Sequence, residues 1–203
     1  MRVGIGYDIH RFNGSARPSG TRPLKLGGVV IPHTRGLAGH SDADVLLHAV
    51  VDALLGAVGA ADIGEHFPSS DPRYRNADSR RLVQEAYATV LRKGWSVGNV
   101  DATVIADQPK LTGYKLPMRR AIAQLLQIPM SQVSVKAKTT EGFAPGGDGI
   151  AAQAVVLLKP ARGSGLGPPQ GLAGPQRVRR RTVAEVRGKT AQSPQPRVHS
   201  KRS

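Results

Sequence analysis

Apolar and polar positions follow two different rhythms along residues 1–160. Five stretches carry the apolar-rich or alternating pattern of β-strands: 2–8, 24–31 around the turn signal Gly27-Gly28, 97–106 ("VGNVDATVIA"), 133–139 ("VSVKAKT") and 150–158 ("IAAQAVVLL"). Between them the spacing turns helical. In "SDADVLLHAVVDALLGAVGA" the residues Val45, Leu46, Val50, Ala53, Leu54 and Ala57 recur at helical intervals, behind Ser41 and Asp44, which resemble a capping pair. Asp78 opens a second helix, "DSRRLVQEAYATVLRKG", that stops at Gly94. A third is predicted over 116–127, ended by "IPMS". Strands interleaved with helices long enough to cover a sheet predict an α/β fold, an α+β sandwich with one sheet covered by helices on one face. There is no internal repeat.

The rhythm stops after residue 160, and composition explains why. The remaining stretch is rich in Gly, Pro, Ser, Gln and Arg with almost no aliphatic clusters, so it is expected to be a disordered tail. The expected organisation is therefore one domain over 1–160 and a basic Gly/Pro/Arg-rich tail over 161–203. Charge divides at the same boundary. Of the formal net charge of +15, the tail contributes ten Lys or Arg against Glu185 alone, leaving 19 basic and 13 acidic residues in 1–160. The tail's "RVRRR" suits nucleic acid or an acidic partner, or is simply solvated. The moderate excess in 1–160 suits a phosphorylated substrate as well as a polynucleotide. The chain has no cysteine, so any soft metal must be held by histidine and carboxylate. It begins directly on a strand-like pattern and has no apolar run of membrane-spanning length, from which a cytoplasmic protein is expected.

Against this background a few polar residues stand out. Asp8 and His10 lie two apart in "RVGIGYDIHRF", so in a strand they project from one face about 7 Å apart at the backbone. That spacing suits two ligands of one metal ion, or a hydrogen-bonded pair at a strand end. His48 interrupts the apolar run of the first helix, with Asp44 and Asp52 four residues to either side as candidate partners for its ring. A core histidine is the competing explanation. His40 and Asp42, in "GHSDAD", directly precede that helix, whose N-terminus favours phosphate. Asp8, His10 and His48 together would form a two-histidine, one-carboxylate set compatible with tetrahedral zinc and one open position. Spacing alone does not show that residues 10 and 48 meet.

The stretches "RVGIGYDIHRF", "LKLGGVVIP", "GLAGHSDADVLLHAVVDALLGA", "ADIGEHFP", "SSDPRYRNADSRRLV", "GNVDATVIADQPKL" and "VSVKAKTTE" resemble, in order and spacing, the 2-C-methyl-D-erythritol 2,4-cyclodiphosphate synthases of the non-mevalonate isoprenoid pathway. The resemblance covers residues 1–159. It implies a homotrimer of α/β protomers with sheets packed inward and three active sites between neighbouring subunits. It also implies a lyase that converts 4-diphosphocytidyl-2-C-methyl-D-erythritol 2-phosphate into the cyclic diphosphate and CMP, the substrate's own 2-phosphate attacking the β-phosphorus.

The same resemblance assigns roles. Asp8, His10 and His48 match the ligands of one zinc per subunit, and a second divalent ion, Mg²⁺ or Mn²⁺, accompanies the substrate diphosphate. His40 and Thr139 match the residues that stabilise the transition state. Asp8, Ile9, His10, His40 and Ser41 line the substrate site in the family. Asp62, Ile63 and Gly64, with Phe67, Pro68, Ser69, Ser70 and Asp71, match the segments holding the methylerythritol and its phosphate. Ala106, Asp107, Gln108, Pro109, Lys110, Leu111 and Thr112 match the cytidine pocket, contributed by the adjacent subunit, and Lys138, Thr139, Thr140, Glu141, Phe143 and Gly146 the segment beside it. After "TTE" the chain departs from the family: "GFAPGGDG" is two residues short and has Gly146 where an arginine is usual. Lys138, where the family commonly has threonine, offers a positive charge nearby. Two other functions compete with cyclisation: a zinc-dependent phosphoesterase in which a metal-bound water attacks, and nucleic-acid binding through the tail.

Overall fold

The first strand, β1 (Arg2–Arg11), extends beyond its hydrophobic pattern, so Asp8 and His10 both lie inside it. Its partner explains the extension. The last strand, β6 (Gly149–Pro160), pairs with it antiparallel from Arg2↔Leu158 to Arg11↔Gly149, and a backbone ladder accepts polar side chains as readily as apolar ones. The computed structural model describes residues 1–14, 22–142 and 148–161. The tail predicted over 161–203 thus lies almost wholly outside the described residues, as do Phe143 and Gly146.

The main sheet has the order β1-β6-β4-β5, with β4 at Trp95–Ile105 and β5 at Val133–Lys138. β4 runs antiparallel to β6 and parallel to β5. Hence β1, β4 and β5 point the same way, and their C-terminal ends lie at one end of the sheet. The stretch predicted as one strand over 24–31 is a separate hairpin, β2 (Leu24–Leu26) and β3 (Val29–Ile31). Gly27 and Gly28 form its two-residue turn with φ of +59° and +77°, the backbone that such turns require.

The helices cover one face. α1 (Val45–Ala57) packs on β1 and β6, α3 (Ser79–Arg92) on α1 and β4, and α4 (Lys115–Leu125) on β5. α1 is buried nearly all round, including Leu47, Val51 and Leu55, because α3 and the hairpin cover the side turned away from the sheet. Of the expected capping pair, Asp44 alone caps. Its fully buried carboxylate accepts from Leu47 N at 3.1 Å and also from Gly27 N at 2.8 Å and Gly28 N at 2.6 Å, tying the hairpin to the helix start. α4 stops two residues earlier than its pattern suggests, at Leu125, with Gln127 at a φ of +52°. A one-turn helix, α2 (Ile63–His66), and 3-10 turns at Pro72–Tyr74, Thr112–Tyr114 and Met130–Gln132 are too short to leave a period in the sequence.

The other sheet face is open. Val3, Ile5, Tyr7 and Ile9 of β1 are 64, 61, 55 and 60 % exposed, and Val155 of β6, opposite Ile5, is 38 % exposed. The inward positions of the same stretch of β1 hold Gly4 and Gly6, buried against α1.

Candidate metal centre and active site

Where β1 meets α1, the side chains that follow the two glycines on the inner face are Asp8 and His10, and the helix presents His48 to them. Asp8 Oδ2 lies 2.9 Å from both His10 Nε2 and His48 Nδ1, and these two ring nitrogens are 3.1 Å apart. The three atoms form a nearly equilateral triangle, close to the edge of about 3.3 Å that a tetrahedron of ligands has around zinc. The rings meet edge to face, with centroids 5.2 Å apart. Burial alone would raise the Asp8 carboxyl, but hydrogen bonds and positive charge from His10 and His48 outweigh it and hold that group well below the usual carboxylate range. Burial likewise disfavours the charged His10 ring, yet the Asp8 carboxylate and the Ala38 backbone raise its pKa. Two lone-pair nitrogens and an anionic oxygen facing one point are the donor set of a divalent cation, and the residues fit zinc on that chemistry. Among the described residues this is the one cluster of three such groups.

The far side of His48 differs from the sequence expectation. Asp44 is engaged with the hairpin, and Asp52 accepts from Ile63 N at 2.8 Å, so neither carboxylate touches the ring. Instead Nε2 lies 3.0 Å from each of two hydroxyls, Ser41 and Ser79. Ser79 sits on α3, 31 residues away in sequence, and no local pattern singles it out.

A cavity of about 320 Å³ opens beside the triangle, lined by Asp8, His10, His40, Ser41, His48, Ile63, Gly64, Phe67, Pro68, Ser69 and Ser70. These residues were assembled from four separate stretches of sequence. Tyr74 and Leu82 complete the wall and were not anticipated; Tyr74 stacks edge to face on Phe67 at 5.3 Å. Asp62 caps α2 by accepting from Glu65 N at 2.9 Å, and the Asp52–Ile63 bond fixes the start of the same turn. Burial raises the Asp52 carboxyl, opposed by the Ile63 N–H and reinforced by Asp62 and Asp8. Asp71 is engaged with Arg73, Nε to Oδ2 2.9 Å, outside the cavity wall. Ile9 projects from the opposite sheet face to its neighbour Asp8.

The second group of expected site residues gathers elsewhere. Ala106 N donates to Lys138 O at 2.9 Å, and Asp107 accepts from Thr140 N at 2.8 Å and Thr140 Oγ1 at 2.7 Å. Thr139 is exposed, its hydroxyl donating to Glu141. This group sits at the ends of β4 and β5, at the same end of the strands as Asp8 and His10 but two to three strands away, roughly 10–15 Å. None of its members lines the 320 Å³ cavity. A larger groove, about 490 Å³, runs along β4 and β5 beside Arg119; its carboxylate, Asp101, pairs with Lys136 at 2.7 Å, and it holds no histidine.

Comparisons with known proteins assign the chain to a family. Residues 1–159 match the sequence profile of the YgbB family. A 2-C-methyl-D-erythritol 2,4-cyclodiphosphate synthase of Shouchella clausii is 52% identical over 163 residues, covering 79% of this chain and 99% of the relative. The enzyme of the same name from Geobacillus kaustophilus is 54% identical over 161 residues, 78% of this chain and 98% of the relative. A solved 2C-methyl-D-erythritol-2,4-cyclodiphosphate synthase in its CDP-bound form superposes with a TM-score of 0.70 at 37% identity, covering 78% of this chain and all of that one. With more than half of the aligned residues identical over nearly the full length of these relatives, and the family profile matched over residues 1–159, the chain belongs to the YgbB family.

Proposed function

We propose that the chain closes 4-diphosphocytidyl-2-C-methyl-D-erythritol 2-phosphate on itself: an oxygen of the 2-phosphate bonds to the β-phosphorus, the bond from that phosphorus to the CMP oxygen breaks, and the cyclic diphosphate and CMP leave. The observation that carries this reading is the Asp8–His10–His48 triangle opening onto the cavity, in a chain half identical to cyclodiphosphate synthases. Because the substrate supplies its own nucleophile, the protein's task is to position two phosphates and offset their charge. Asp8, His10 and His48 would hold a zinc ion, which when bound supplies a Lewis acid to a phosphate oxygen. A second divalent ion, Mg²⁺ or Mn²⁺, would be held mainly by the substrate and solvent. His40, exposed at the cavity rim, and Thr139 would donate hydrogen bonds to phosphate oxygens as charge redistributes. Ser69, Ser70 and the α2 turn would hold the methylerythritol phosphate.

Residues 106–112 and 138–141 would form the cytidine pocket of the neighbouring subunit. The reasoning is spatial: one half-site lies on β1 at one sheet edge and the other on β4 and β5 toward the opposite edge, so subunits placed side by side join the two. The open apolar face of β1 and β6 supports a homotrimer with its sheets turned inward, since so large an exposed apolar patch marks an interface. Ile5→Asp, set in the middle of that face opposite Val155, is expected to convert the assembly to monomers in sedimentation velocity and to lower activity at least a hundredfold. Assembly and activity both unchanged would remove the face from the interface. A cytoplasmic location belongs to the same reading, as does a tail without a part in catalysis.

Product analysis in ¹⁸O-labelled water tests the reaction. Cyclisation gives CMP and a cyclic diphosphate, both without label by ³¹P NMR and mass spectrometry. A labelled, linear product identifies a phosphoesterase instead. Deletion of residues 161–203 should leave the cyclising rate unchanged; loss of all function on that deletion favours the tail.

A further inference from the structure

Ser79 is fully buried at the first residue of α3, and its one hydroxyl hydrogen is committed. Asp42 Oδ1 lies 2.5 Å from Ser79 Oγ and also accepts Ser79 N–H at 3.2 Å. A carboxylate oxygen has only lone pairs to offer, so Ser79 must donate to it. Asp42 is itself buried and held in place: its other oxygen accepts from Lys25 Nζ at 3.1 Å, and its N–H donates to Ala77 O at 2.9 Å. With its hydrogen spent on Asp42, Ser79 turns a lone pair toward His48 Nε2 at 3.0 Å. That contact is favourable only if Nε2 carries the proton. Nδ1 is then the atom left to offer its lone pair to a metal ion held with Asp8 and His10.

We propose that Ser79, oriented by Asp42 and Lys25, is a positioning residue that fixes the tautomer and ring angle of His48 and thereby tightens metal binding. The inference rests on the metal reading of the triangle. Ser41 cannot replace Ser79. Its hydroxyl also lies 3.0 Å from Nε2 and accepts Ala43 N–H at 3.2 Å, but no carboxylate fixes its hydrogen, which is free to turn and donate to Nε2. A donating Ser41 would favour the proton on Nδ1, the atom that faces the metal position. A wrong tautomer or a tilted ring at one of three ligands weakens the site without changing the set of ligands.

The test uses the full chain stripped of metal, with Ser79→Ala as the variant. Alanine is a good residue for the first turn of a helix, and Asp78 remains as the α3 cap. Zinc affinity, measured by competition with a chromophoric chelator, should fall about 10- to 100-fold in S79A while far-UV circular dichroism remains that of the folded wild type. In ¹H–¹⁵N spectra of the imidazoles, zinc-loaded wild-type protein should show the His48 proton on Nε2 and protected from exchange, with the protection lost in S79A. Equal zinc affinity in the two proteins, or a wild-type His48 proton on Nδ1, overturns the proposal, and the second result stands even if S79A does not fold. Wild-type protein that takes up no zinc overturns the metal reading itself, a pattern distinct from equal and tight binding by both.

Discussion

Replacing His48 by alanine is expected to lower kcat/KM for cyclisation roughly a thousandfold, the equivalent of about 4 kcal/mol of transition-state stabilisation. The triangle explains the size of the effect. Without Nδ1 the site keeps Asp8 and His10, two donors from a single strand, which hold a divalent cation far more weakly than three. The loss spreads beyond the ligand count. Asp8 stays well below its ordinary pKa because the His10 and His48 rings favour its carboxylate against the cost of burial, and one of those rings disappears. Ser41 and Ser79 lose the ring nitrogen they share. Steady-state kinetics alongside metal analysis of the purified variant checks the prediction. One zinc per subunit with activity within tenfold of wild type would show that the centre lies elsewhere; little metal and a thousandfold loss is the expected result.

How much of this was legible in the sequence depends on how local each feature is. Asp8 and His10 were readable because a period of two places them on one strand face whatever that strand packs against. His48 was readable as a polar residue inside an apolar helix, but its contact with residue 10 is a tertiary fact that the family resemblance, not the spacing, supplied. Asp44 and Asp52 show the limit. Helical spacing puts them on the His48 face, yet Asp44 serves the hairpin turn and Asp52 the Ile63 amide, because buried backbone N–H groups nearby needed acceptors. Ser79 left no signal, since its role exists only once α3 lies against α1. The alternation in β1 carried information in an unexpected sense. Its large apolar residues point away from the protomer's core and its glycines point into it, the pattern of a strand that meets a helix backbone on one side and another surface on the other.

Those glycines set the second large effect, and Gly6→Ala is expected to destabilise the fold by about 3 kcal/mol or more. A Cβ at residue 6 would stand 2.0 Å from Ala49 O, 2.7 Å from Ala53 N and 2.9 Å from Asp52 Cβ; at residue 4 it would stand 2.0 Å from Ala53 O. The obstacles are helix backbone, which cannot swing aside as a side chain does. β1 and α1 must therefore part by about 1 Å to restore van der Waals distance, which loosens the best-buried layer of the core. The same parting separates Asp8 and His10 from His48, because the two sides of the triangle ride on those two elements. A displacement of about 1 Å at a catalytic centre is enough to cost roughly a hundredfold in rate, so zinc affinity and activity should fall even under conditions where the variant remains folded. Gly56→Ala supplies the control. It lies on the exposed side of α1, where a Cβ would meet only Ile5 O at 3.8 Å, and alanine there should be neutral or stabilising by about 0.5–1 kcal/mol. Urea denaturation of the three proteins, followed by zinc titration of each, separates the cases. A G6A midpoint matching that of wild type would mean that strand and helix do not approach as closely as the glycines allow, and the triangle would lose the contact that assembles it.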